Sequence, residues 1–306
     1  MVYNIGMGTK GILIVNTFLD SPQVTDTYDL LSLGAKRHNI KLSMRTNAEF
    51  FVDLERGIVA NSDALPSPDD LDFILFWNKD VFLGRALSRM GYRLYNNADA
   101  IEYCDNKALT YEKLDGCVRM PRTMKIPMTF DTVGYTTLSF ENHIAELLGY
   151  PYIIKECYGS YGGQVYLAND SASARDILKK IEGRECLAQE FIAESRGEDL
   201  RAYVVGDKVV AAMKRSNPDD FRSNITGGGG GEAYDITKEQ EQMAVMAAKK
   251  LGLDFAGVDI LFGKSGPVLC EVNSNAQFRG LLTATGVDIT DALFEHIHHT
   301  CHNQHK

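Results

Sequence analysis

Apolar residues in the first hundred positions fall into short unbroken runs rather than alternating ones. "KGILIVNTF" (10–18) and "LDFILFW" (71–77) have the length and continuity of strands covered on both faces, as in a parallel sheet. A helical pattern follows the first run, from about Thr25 to His38. "VFLGRALSRMG" (81–91) predicts another helix, closed by Gly91, and "RLYNN" (93–97) a short strand before a helix near Ile101. This alternation predicts an open α/β layer up to about residue 100.

From Tyr152 the pattern changes to paired strands joined at glycines. "PYIIKECYGSYGGQVYLA" (151–168) predicts a hairpin with a glycine-rich tip. "EDLRAYVVGDKVVAAMKR" (198–215) predicts a second, turning at Gly206-Asp207, and "GVDILFGKSGPVLCEVN" (257–273) a third, turning through Gly263–Gly266. Helices are expected at Ser171–Glu182 and Thr237–Leu251, the latter capped by Gly252. "TGGGGG" (226–231) is expected to be a loop, because glycine pays a high entropy cost inside an element. The second part therefore reads as antiparallel α+β. The expected organisation is residues 1–104, 105–186 and 187–306. The last segment, "FEHIHHTCHNQHK", holds five of seven histidines; a frayed helix end is the expectation there rather than a metal site.

The third hairpin carries an unusual polar stripe. Glu271 and Asn273 stand two apart and share one strand face. A three- or five-residue loop centred on Ser265 would set Asp259 opposite Glu271. Two adjacent carboxylates repel unless a proton or cation lies between them, and hard oxygen ligands suit Mg²⁺. A solvent-facing sheet surface explains the same residues slightly better when this hairpin is taken alone. Lys155 sits mid-strand in "YIIKEC", a costly place for an unpaired ammonium, directly before the glycines of "YGSYGG". "LAQEFI" (187–192) could flank a purine with apolar walls and backbone donors, or could be an ordinary amphipathic strand.

Composition narrows the class. The 306 residues carry 32 Lys and Arg against 41 Asp and Glu, a formal charge of −9, and show no basic patch of the kind nucleic acids require. No apolar run is long enough to span a bilayer, and the N-terminus lacks the pattern of a signal peptide. Six cysteines without a C-x-x-C pair read as reduced core thiols, so a cytoplasmic protein without disulfides, nucleic acid or membrane is expected. No Ser-His-Asp or Cys-His arrangement stands out.

Taken in order, Lys107 in "DNKALTYEKL", "IIKECYGSYGGQV", "AQEFIAESRGEDLRAYVVGDKVVAAMKR", "DFRSN", "GVDIL" and "EVNSN" resemble the ATP-grasp superfamily, and within it the RimK-type glutamate ligases. The resemblance runs from about Asp105 to Ile297. It implies an α/β domain followed by two antiparallel-sheet subdomains clasping ATP, and a carboxylate–amine ligase working through an acylphosphate. Its substrates would be an amino acid and a carboxylate-bearing acceptor, in a monomer or a homo-oligomer. By resemblance, Lys107, Lys155 and the loop of Gly159, Ser160, Gly162 and Gly163 would hold the ATP phosphates. Gln189, Glu190, Phe191 and Ile192 would line the adenine site, with Asp199 and Lys214 beside the nucleotide. Asp259, Glu271 and Asn273 would hold Mg²⁺ or Mn²⁺, and Arg215, Arg222 and Asn224 would face the transferred phosphate and the amino acid. Where the family continues E-x-N into a small residue, Pro and Gly, this chain has Ala276-Gln277-Phe278, so the acceptor stays open. A ligase joining other amino acids or a peptide-maturation enzyme of the same superfamily, a nucleotide-binding regulator without turnover, and a purely structural α/β protein are the rival readings.

Overall fold

The computed structural model describes residues 8–61, 65–130, 132–160, 162–224 and 228–301. In chain order, its first layer consists of β1 (Lys10–Val15), α1 (Pro22–Arg37), β2 (Lys41–Thr46), the small pair β3 (Val52–Asp53) and β4 (Ile58–Val59), β5 (Phe73–Trp77), α2 (Val81–Arg89), β6 (Leu94–Tyr95) and α3 (Ala98–Asp105). Strands β2-β1-β5-β6 form a parallel sheet in that order. The two unbroken runs are its buried central strands, as their pattern predicts. Strand β2 escapes the sequence pattern because it is an edge: "KLSMRT" mixes exposed and half-buried positions with no apolar run. Helix α1 begins three residues before Thr25, because Pro22 in its first turn needs no backbone donor there.

The second part comprises α4 (Lys107–Lys113), β7 (Thr123–Lys125), α5 (Phe140–Leu148), β8 (Tyr152–Glu156), β9 (Val165–Ala168), α6 (Ser171–Ile181) and β10 (Cys186–Glu190). Its sheet runs β7-β10-β8-β9, all antiparallel, and continues past residue 186 because β10 pairs with β8. The third part comprises β11 (Glu198–Val205), β12 (Lys208–Ser216), β13 (Gly230–Ala233), α7 (Lys238–Leu251), β14 (Phe255–Gly263), β15 (Gly266–Asn273), α8 (Arg279–Thr285) and α9 (Ile289–Cys301). Its sheet runs β13-β12-β11-β14-β15. Helix α7 lays Ala244, Ala247, Ala248 and Leu251 against Leu200, Ala202, Ile260, Leu269 and Val272, which takes the middle of one face of that sheet out of water.

Two expectations are corrected. Gly230 and Gly231 are not loop: they open the edge strand β13, where Gly231 pairs with Arg215 and Gly230 with Ser216. Gly227, at the start of the glycine run, lies outside the described residues. The histidine-rich segment is not a frayed end up to Cys301. Helix α9 docks on α1, burying Leu293, Phe294 and Ile297 in one core with Leu13, Val15 and Leu31. Gly34 makes that approach possible, since a Cβ there would stand 2.3 Å from Thr290 Oγ1. His302 and His305 lie outside the described residues.

The first layer and the five-stranded sheet meet along a seam. Trp77 stacks on Phe255 with ring centroids 5.4 Å apart. Asn96, fully buried, donates through Nδ2 to the carbonyls of Phe255 and Ser274 and accepts through Oδ1 from the amides of Asp254 and Phe255. Among the described residues all six cysteines are free thiols, and no helix is long and apolar enough to cross a membrane.

Candidate active site

One end of the five-stranded sheet's face opposite α7 is polar, while Tyr203, Val205, Ala211, Met213 and Phe255 at the other end join the apolar core. Strand β11 presents Asp199 and Arg201 there, β12 presents Arg215, β14 presents Asp259 and β15 presents Glu271 and Asn273, through the registers Asp199↔Arg215, Arg201↔Asp259, Asp259↔Glu271 and Gly257↔Asn273. The opposition of Asp259 and Glu271 is as expected, but its origin is different. The turn holds two residues, Lys264 and Ser265, between Gly263 and Gly266, and a β-bulge at Cys270 then adds one residue to β15. Gly257 leaves room for the strip: a Cβ there would meet Ala276 Cβ at 2.4 Å and Arg201 Nη1 at 3.2 Å.

Asp199 and Asp259 are each only 4% exposed, and two guanidiniums close around them. Arg215 grips Asp199 with Nε and Nη2 at 2.7 and 2.5 Å, and its Nη2 also reaches Asp259 Oδ2 at 2.9 Å. Arg201 forks onto Asp259 with Nε to Oδ1 and Nη2 to Oδ2, the latter at 2.8 Å. Burial works to raise the Asp259 carboxyl, but Arg201 and Arg215 hold it below the usual range. Burial dominates at Asp199 and pushes it up, since it has one arginine where Asp259 has two. Burial likewise opposes the charge of Arg215, yet Asp259 and Asp199 outweigh it and raise its pKa.

Across the cleft, Asn106 caps the start of α4 and so fixes Lys107, whose Nζ donates to Gly159 O at 3.1 Å and lies 3.8 Å from Glu271 Oε1. Lys155, 7% exposed on β8, brings Nζ to 3.8 Å from Cys270 Sγ at the bulge. Burial lowers the Lys155 pKa, but Cys270, Tyr111 and Glu271 together raise it above the usual range. The glycine tip follows. Gly159 has φ +137° and Gly162 φ +73°, while exposed Ser160 and Gly163 complete the tip; Tyr161 lies outside the described residues. Arg222 Nη1 donates to Gly162 O at 2.7 Å, and a Cβ on Gly162 would lie 2.7 Å from Asn224 Oδ1. The structure thus brings Lys107, Lys155, the glycine tip, Arg222, Asn224 and the Asp259–Glu271–Asn273 strip to one cleft between two sheets.

Other candidates sit differently. Lys214 is on the opposite face from Arg215, because neighbours on a strand alternate; it pairs with Glu198 at 2.9 Å on the α7 side. Asp199 is sealed by Arg215 rather than open to a ribose. Arg215 is committed to the two acids rather than free for a phosphate. Arg222 spends Nε and Nη2 on Asp220, at 3.0 and 2.7 Å, and its remaining nitrogen on the glycine tip. Gln189 is buried at the end of β10 and donates to Thr123 Oγ1 at 2.8 Å, Glu190 is exposed beside Arg122, and Phe191 and Ile192 are half-buried just beyond the strand. Arg201 was missed by the sequence reading, although its position two residues after Asp199 on a strand places it on the same face. Among the described residues no three His, Cys, Asp or Glu side chains cluster as a metal site, so a cation here would rest on two carboxylates and an amide.

Comparison with known proteins bears on the family and the fold. Residues 117–297 match the family model of the RimK-like ATP-grasp domain. An uncharacterised Mycoplasma pneumoniae protein is 32% identical over 81% of this chain and 85% of its own. A probable alpha-L-glutamate ligase of Shewanella sp. strain MR-4 is 44% identical over 51% of this chain and 54% of its own, so the match spans about half of that ligase. The solved structure of the ATP-grasp ligase PsnB, complexed with a minimal precursor, Mg and ADP, superposes with a TM-score of 0.67 at 18% identity, covering 95% of this chain and 98% of that one. The chain belongs to the RimK-like ATP-grasp family of ATP-dependent carboxylate–amine ligases.

Proposed function

We propose that this ligase moves the terminal phosphoryl group of ATP onto a carboxylate and then joins the resulting acylphosphate to the amine of an amino acid, glutamate or a close relative. The convergence of Lys107, Lys155 and the glycine tip on the strand that carries Glu271 is the observation behind this reading. A free carboxylate is a poor electrophile because its leaving group would be oxide; an acylphosphate leaves phosphate instead. The protein's task is then charge neutralisation and positioning, with no side-chain nucleophile. The name of the Shewanella relative favours glutamate as the incoming amino acid.

In this reading Lys107 and Lys155 address the phosphates, while Gly159, Ser160, Gly162 and Gly163 cover them. Gln189, Glu190, Phe191 and Ile192 border the base. Asp259, Glu271 and Asn273 fit a divalent cation such as Mg²⁺ or Mn²⁺: they offer hard oxygens on neighbouring strands, two carboxylates and the Asn273 amide carbonyl. Three guanidinium contacts on Asp259 leave one of its roughly four lone-pair positions for a metal. When bound, such a cation would neutralise charge on the transferring phosphate. Arg215 and Asp199 become the support of Asp259, and Lys214 drops out of the site. The division of the chain is drawn at residue 104 and, because β10 completes its sheet, just after Glu190.

Arg222 takes a new part, as the latch on the glycine tip. Lysine keeps the charge but cannot both fork onto Asp220 and reach Gly162. Arg222→Lys is expected to raise the apparent KM for ATP about tenfold while leaving that for the amino acid nearly unchanged. Steady-state kinetics with each substrate varied in turn checks this; a change confined to the amino acid would return Arg222 to the substrate side. The proposed reaction itself is tested by ADP and phosphate release across a panel of amino acids and carboxylate acceptors, with products identified by mass. No ATP turnover with any pair would overturn it.

A further inference from the structure

Strand β7 is an edge of the antiparallel sheet β7-β10-β8-β9, with no strand on its outer side among the described residues. Its inward bonds fix which groups look outward. The Ile126 amide donates to the Cys186 carbonyl, the Arg122 carbonyl accepts from the Glu190 amide, and Met124 stands opposite Ala188. Backbone polar groups alternate sides along a strand, so the N–H and C=O of Thr123 and Lys125 point away from β10. Such a row is a ready template for another strand. Pro121 and Pro127 stand three residues on either side of Met124, and neither has an N–H to leave unpaired.

The two flanks of this edge differ in shape. Beside and before it lies a groove of about 530 Å³ walled by Tyr111, Val118, Met120, Pro121 and Leu187, with the Thr123 and Lys125 side chains on its floor. Directly after it the chain turns out as a knob. The Phe130 carbonyl accepts from the amides of Val133 and Gly134, both at 2.8 Å, and the Thr129 hydroxyl donates to the Gly134 carbonyl at 2.8 Å. Gly183 seats the base of this turn, since a Cβ there would stand 2.9 Å from Thr129 Cγ2. The knob's apolar side chains face water: Met128 is 65%, Phe130 66% and Val133 58% exposed. Single exposed apolar residues are ordinary, but three on one closed turn form a patch.

We propose that β7 pairs antiparallel with β7 of a second copy about a twofold axis at Met124, the knob of each copy filling the groove of the other. In that register Thr123 exchanges both backbone hydrogen bonds with Lys125 of the second copy. Met124 faces Met124 as a non-hydrogen-bonded pair, with Cα atoms about 4.5 Å apart. Pro121 meets Pro127, so the ladder stops after four bonds without orphaning a donor. The same register carried outward sets Met128 against Met120 and Phe130 against Val118, knob residues against groove walls. The Lys125 ammonium, close to the axis, is met by Glu185 of its own copy at 3.4 Å. A contact of this kind is isologous and closes on one partner. Four backbone bonds hold little by themselves, so the buried knob carries the affinity. The pairing needs no nucleotide and stands apart from the ligase reading.

Sedimentation of the full chain between about 1 and 100 μM tests this. The wild type is expected at twice the 34.0 kDa of the chain, with a Kd of about 10 μM or tighter. Phe130→Asp charges an exposed position and is expected to weaken association at least a hundredfold, with the circular dichroism spectrum unchanged. Met124→Cys sets two thiols across the axis within disulfide reach and is expected to give a covalent dimer on mild oxidation. Phe18→Cys, as exposed but on the first layer, is expected to give none. A wild type that is monomeric at 100 μM overturns the proposal. So does a dimer that Phe130→Asp leaves intact, or one that Met124→Cys fails to cross-link, because the copies would then meet elsewhere.

Discussion

Glu271→Gln is expected to lower turnover by about two to three orders of magnitude while the protein stays folded. The substitution preserves shape and removes one negative charge from the strip. Glu271 is half-buried, and its ion-pair contact with Lys107, at 3.8 Å, is too long to contribute much to stability. The loss should therefore appear in kcat and in metal dependence, with the melting temperature nearly unchanged. ADP release measured across a Mg²⁺ or Mn²⁺ titration, beside thermal melting, makes the comparison. A folded variant with near-normal turnover would remove the cation from this strip and leave Asp259, Glu271 and Asn273 as sheet surface.

Arg215→Met is expected to act on the fold. It leaves Asp199 without its only arginine and takes one of two from Asp259, both in the protein interior. Breaking a buried pair by removing one partner costs about 3–5 kcal/mol, because the remaining charge has lost its water as well as its partner. Arg37 offers the contrast. It also bridges two acids, Asp288 and Asp291, but is 44% exposed, and Arg37→Met should cost no more than about 1 kcal/mol. Denaturant unfolding of the two variants side by side separates the cases. A small loss for Arg215→Met would mean that the acids re-pair with Arg201 or take up protons at little cost.

Much of this architecture is legible in the sequence because it rests on two short-range signals. Unbroken apolar runs mark β1 and β5, and glycine turns mark the three hairpins. Strand β2 is silent for the opposite reason, since an edge exposed to water needs no apolar run. The strip of Asp259, Glu271 and Asn273 is visible from parity along one strand and across one turn. The same parity, carried back along β11 and β12, would have found Arg201 and placed Lys214 on the far face. The bulge at Cys270 leaves no mark in the sequence: a longer turn without a bulge gives the same opposition of Asp259 and Glu271. Nor can side-chain partnerships be read from spacing. That Asp199 faces an arginine rather than a ribose, and that Arg222 reaches a glycine sixty positions away, depends on how two sheets meet.

The cancellation of Asp199 and Asp259 by Arg201 and Arg215 also shapes how a nucleotide would arrive. With those four charges neutral as a group, Lys107 and Lys155 against Glu271 leave the middle of the cleft with one positive charge in excess. The molecule as a whole carries nine negative charges in excess. An approaching polyanion is repelled at long range and attracted only inside the screening length, about 8 Å at physiological ionic strength. Encounter and residence should then respond to salt in opposite directions. Added salt quickens association by screening the outer repulsion and quickens dissociation by weakening the inner attraction, which stopped-flow traces with a fluorescent ATP analogue would resolve as two slopes of the same sign.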